Sequence, residues 1–96
     1  MKGEASWHRA PIDVVTKTEG IEVKAFHTEA KEFKCRMAKD AIARKEAFCA
    51  KEGLKGRTVM VIVNDKFELY SRAGFGNFRK ENMEFIGAYP NPKKVR

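Results

Sequence analysis

The run Val59-Met60-Val61-Ile62-Val63 constrains this chain more than any other feature. Four of its five residues are β-branched, a composition that favours a strand. The run is far shorter than the roughly 20 apolar residues that a membrane-spanning helix requires. It also lacks the polar alternation of a half-exposed strand. A continuous apolar strand is expected at the centre of a sheet, covered on both faces or nearly so. Arg57 to Asn64 is therefore the predicted central strand, and the rest of the chain must supply its neighbours and its cover. The 96 residues suffice for a single domain with a thin core.

The neighbours are legible on both sides. Ile12 to Lys17 is β-branched, Thr18-Glu19-Gly20 reads as a turn with glycine suited to positive φ, and Ile21 to Phe26 alternates. These two strands predict a hairpin. From about residue 29 to Glu52 the pattern predicts one long helix. Thr28 is its expected N-cap, Glu29 sits at the positive end of its dipole, and Gly53 is its αL stop. Ala30, Phe33, Met37, Ala41 and Phe48 form its apolar stripe, widened by Ala38, Ile42 and Cys49. Asn64-Asp65 suits a tight primed turn into the alternating strand Phe67 to Arg72. A glycine-containing loop, Ala73 to Asn82, precedes a last short strand, Met83 to Ile86, that extends towards Tyr89. The expected fold is α+β and two-layer, one long helix on a mainly antiparallel sheet in the order β-β-α-β-β-β. The expected domain limits are an N-terminal arm, 1–10, anchored by Trp7; a single domain, 11–89; and a basic C-terminal tail, 90–96.

Charge points to function more than any motif does. Twenty Lys and Arg against thirteen Asp and Glu leave a net charge of +7. Residues 72–96 hold six basic groups against two acidic ones. Such a bias attracts a polyanion or an acidic protein surface, although a solubilising surface and a solvated tail explain it equally well. Met1 to His8 has no apolar leader, which gives a cytoplasmic expectation with no membrane partner. Two cysteines fit reduced thiols, and on one helix Cys35 and Cys49 would lie about 21 Å apart, too far to bridge.

The stretch from Ser71 to Lys80 concentrates the binding chemistry. Gly74 and Gly76 free the backbone, Phe75 and Phe78 offer rings, and Arg72, Arg79 and Lys80 offer charge. With Lys93, Lys94 and Arg96 of the tail, these residues are the expected partner contact. Rings flanked by cations grip single-stranded nucleic acid without sequence readout, and they also anchor protein interfaces. The plain alternative is that both rings complete the core. His8, His27 and the two cysteines lack zinc-ligand spacing, and Cys35 with His27 lacks a third catalytic group. Gly-Phe-Gly-Asn lacks the Gly-Lys-Ser/Thr ending of a phosphate loop. The expectation is a binding protein with no cofactor and no catalytic residues.

From the opening Met1-Lys2-Gly3-Glu4-Ala5-Ser6-Trp7-His8-Arg9-Ala10-Pro11 to the Lys-Arg tail, the chain resembles the anti-RecBCD accessory proteins of lambdoid phages. The resemblance covers overall size and charge, with no diagnostic motif, so no family residue is carried over. It implies a phage-encoded inhibitor or modulator of the host recombination nuclease, docking through the RecC subunit in the host cytoplasm. Small anti-CRISPR proteins share the same look, so the implied class is a phage counter-defence binder. The alternative reading is a small nucleic-acid-binding module acting by itself.

Overall fold

A computed structural model describes residues 11–92. The arm, 1–10, with Trp7 and Arg9, and the tail residues Lys93, Lys94 and Arg96 lie outside the described residues. The class is α+β, with one α-helix and a five-stranded, mostly antiparallel sheet among the described residues. In chain order the elements are β1 (Val14–Val15), β2 (Glu19–His27), α1 (Lys39–Glu52), β3 (Lys55–Val63), β4 (Lys66–Ala73), a single 3-10 turn (Lys80–Asn82) and β5 (Glu84–Pro90). Neighbours in the sheet follow the same order, β1-β2-β3-β4-β5, so β3 is central. Among the described strands only β2 and β3 run parallel, because the chain between them crosses over by way of α1.

The helix is shorter than its periodicity predicts. It starts at Lys39, with Ala38 as an N-cap that makes no side-chain bond. Thr28 and Glu29 belong to the turn after β2, where the Thr28 N–H donates to the Val63 carbonyl at 3.1 Å. Residues 32–37 run extended instead. The Cys35 N–H donates to the Phe78 carbonyl at 2.8 Å, and the Lys80 N–H donates to the Phe33 carbonyl at 2.9 Å. Asn77 closes the pairing: the Met37 N–H donates to its Oδ1 at 2.9 Å, and its Nδ2 donates to the Met37 carbonyl at 3.2 Å. These bonds occupy the backbone groups that a longer helix would need. The helix end is as expected. Gly53 adopts φ 70°, and the Leu54 N–H returns to the Cys49 carbonyl at 2.8 Å.

Two clusters make the core, both on the same side of the sheet. Ile12, Met37, Cys49 and Phe75 form one beneath α1, with Val15, Ile42, Phe48 and Leu54 at its margin. Cys35, Met60, Ile62 and Met83 form the other, covered by residues 33–37 and the loop after β4. Met60, with no exposed surface, contributes about 1.5–3 kcal/mol by burial. Two glycines permit the close packing. A Cβ on Gly20 would lie 2.8 Å from Cys49 Sγ, so Gly20 serves helix approach, and its φ is not positive. A Cβ on Gly56 would lie 2.5 Å from the Phe75 ring.

The first hairpin forms as expected, though its outer strand has only two paired residues, held by a Thr16 hydroxyl turn. Three further expectations are corrected. The β3–β4 turn is not primed, since no described residue other than glycine has positive φ, and Asn91 clamps it by donating from Nδ2 to the Asn64 carbonyl at 2.8 Å. Pro90 and Asn91, expected to begin the tail, therefore belong to the folded domain. Lastly, β3 is covered on one face alone among the described residues. Thr58, Met60 and Ile62 are buried, whereas Val59, Val61 and Val63 on the opposite face are only half-buried.

Candidate functional site: a face of cations held on rings

The pleat of β4 sends Glu68, Tyr70 and Arg72 to the covered side of the sheet, opposite Ile62, Met60 and Thr58 of β3. The extended segment 33–37 and the loop at 77–80 lie over the same side. Their backbone pairing brings Phe33 next to Lys80, which sequence distance alone does not suggest. The Arg72 guanidinium carbon lies 4.5 Å from the Phe78 ring centre, and Arg72 Nη1 donates to the Asn82 carbonyl at 3.2 Å. Lys80 Nζ lies 5.6 Å from the Phe33 ring centre and 5.3 Å from that of Tyr70. Each such contact contributes about 0.5–1 kcal/mol at an exposed site and fixes where the cation sits.

Rings continue outward from this pair. Tyr70 meets Phe85 edge-on, with centres 5.4 Å apart, and Phe33 meets Phe26 at 6.1 Å. Phe85 is 55 % exposed, the most exposed large apolar side chain among the described residues. Beyond Lys80 the face stays basic. Arg79 Nη1 donates to Glu32 Oε2 at 3.1 Å, and Arg36 donates to Glu32 Oε1. The Arg36 charge, with hydrogen bonding from Arg79, holds the Glu32 carboxyl below the usual carboxylate range. Glu32 thus tethers two arginines while leaving this corner with a positive balance.

The expected contact residues separate in space. Arg72, Phe78, Arg79 and Lys80 come together. Phe75 does not join them: it is 7 % exposed, seated on Gly56 in the cluster beneath α1. The expectation that its ring faces a partner is replaced by a core role. Phe33, Tyr70 and Phe85 belong to the face and were missed. Tyr70 carried a usable signal, because it stands two residues before Arg72 in an alternating strand. Phe33 carried another, since Phe33, Cys35 and Met37 alternate with Lys34 and Arg36.

Cys35 is fully buried and Cys49 nearly so; both are free, and burial pushes both thiols up. His27 does not approach Cys35 as a partner. It stands exposed at the end of β2, where its Nδ1 accepts from the Glu29 N–H at 3.3 Å. Among the described residues, no group of three or more His, Cys, Asp or Glu is placed to hold a metal ion. No helix among them is long and apolar enough to cross a membrane. In comparison with known proteins, no family model, curated protein or solved structure matches this chain.

Proposed function

We propose that this chain is a binding protein that docks its cationic, ring-lined face on an acidic surface of a nucleic-acid-processing complex and alters that complex's activity. The partner implied by the resemblance is the RecBCD helicase–nuclease, approached at its RecC subunit, with the chain acting as a phage-encoded inhibitor. Its role is binding rather than catalysis. The observation that carries the reading is the seating of Arg72 on Phe78 and of Lys80 between Phe33 and Tyr70. Cations held by rings and backbone bonds lose little freedom on docking, so they are pre-organised contacts. Phe85, exposed beside them, supplies an apolar anchor.

The same observation ranks docking on a protein above the nucleic-acid module. Base stacking needs ring faces that are free. Here Arg72 lies over Phe78, and Lys80 lies over both Phe33 and Tyr70, so bases would have to displace them. The test measures RecBCD nuclease activity and binding with the intact chain, and with Lys80→Ala, Arg72→Ala and Phe85→Ala variants that melt normally. The reading expects inhibition by the intact chain at physiological salt, weakened in each variant. An intact chain that neither binds nor inhibits RecBCD rejects that partner. Affinity for bare DNA that collapses as salt rises supports the nucleic-acid module instead.

A further inference from the structure

The second face of the sheet presents four rows across β2, β3, β4 and β5. They run Ile21–Arg57–Ala73, then Val23–Val59–Ser71–Glu84, then Ala25–Val61–Leu69–Gly87, and last His27–Val63–Phe67–Tyr89. Val14 of β1 extends the first row beside Ile21. No described element packs on these rows. Every residue in them except the buried Ser71 is half-buried or exposed, with Val14 42 % and Tyr89 54 % exposed. At the His27 end the face deepens into a groove of about 320 Å³ bounded by Val63, Phe67, Asn91 and Pro92.

We infer that this face is where two copies of the chain associate, packing sheet on sheet with both α1 helices outward. The size fits. Four strands at ~4.8 Å spacing and seven residues at ~3.3 Å give roughly 400–500 Å² of flat area per copy. Two such faces bury on the order of 1,000 Å² once side-chain relief is counted, the size at which specific interfaces begin.

The charge also fits. The face and its rim hold Glu19, Lys55, Arg57 and Glu84, which balance, and Arg57 Nε donates to Glu19 Oε2 at 2.9 Å. The described residues hold fifteen basic groups against twelve acidic ones, and the excess among them lies away from this face. A neutral apolar surface on a basic molecule gives an acidic protein or a nucleic acid no purchase. It does match itself, as a two-fold interface requires. Association here leaves the cationic face of each copy outward and presents that face twice.

Sedimentation velocity of the full chain over a wide concentration range tests this inference. Three variants accompany it: Ala25→Lys at an exposed position in the central row, Val61→Lys beside it, and Trp7→Ala. Circular dichroism melting checks that each variant folds. The expected result is a concentration-dependent dimer for the intact chain and for Trp7→Ala. Ala25→Lys and Val61→Lys each weaken the dimer at least about tenfold, because each places a charge in an interface that is otherwise apolar. Three outcomes overturn the inference: an intact chain that stays monomeric, a folded Ala25→Lys variant that dimerises normally, or dimerisation that appears only in Trp7→Ala. The last outcome would assign the face to residues 1–10.

Discussion

Phe75 and Phe78 stand three residues apart in one loop, yet they lie in different clusters. Their flanks differ, Gly74 and Gly76 around Phe75 against Asn77 and Arg79 around Phe78, but neither setting decides between a core and an interface. The distinction comes from Gly56, nineteen residues earlier, whose missing Cβ admits Phe75. Phe75→Ala is therefore expected to lower stability by about 3–5 kcal/mol, seen in denaturant melts, as for other buried rings. A folded Phe75→Ala variant with unchanged melting would place the ring outside the core. The thiols follow the same logic of burial. Both are held protonated beyond the usual thiol range, so the stability this contributes is intact below about pH 8.5. It is lost as pH rises through the raised folded values. Alkylation rates followed against pH should show both thiols protected in the folded chain until alkaline unfolding begins.

Among the elements, the ends of the helix show what sequence reveals and what it hides. Gly53 marked the C-terminus correctly, because an αL stop is a property of one residue. The N-terminus was misplaced by about ten residues, because Phe33, Met37 and Phe48 satisfy a helical stripe as arithmetic. The alternation of Phe33, Cys35 and Met37 competed with that stripe, and a distant partner decided the outcome. Asn77, forty residues from Met37, bonds both of its backbone groups. Asn77→Ala should cost about 1–3 kcal/mol and speed amide exchange at Met37, since the freed groups lie part-buried. The unassisted cap gives an opposite prediction. Ala38 makes no side-chain bond at the helix start and is exposed. Ala38→Asp should raise stability by about 1 kcal/mol through N-capping and the helix dipole. Unchanged melting of that variant would mean that the helix does not begin at Lys39.

For the whole molecule, the apolar run at 59–63 announced a central strand, and β3 is central. The same run also suggested cover on both faces, and here the described residues depart from expectation, because α1 and residues 33–37 pack on one side of the sheet. The covered side carries fixed cations at one end, and the uncovered side is neutral and apolar. Net charge alone placed the basic bias in the last quarter of the chain but not on a face. That placement needed the pairing of residues 33–37 with 77–80, a tertiary contact with no local signature.

Hydrogen exchange of the full chain, alone and with saturating RecBCD, tests the central claim most directly. The docking account predicts slowed exchange within residues 32–37 and 77–85, with β2 and β3 unchanged. Protection confined to other segments, or no change anywhere, would contradict it.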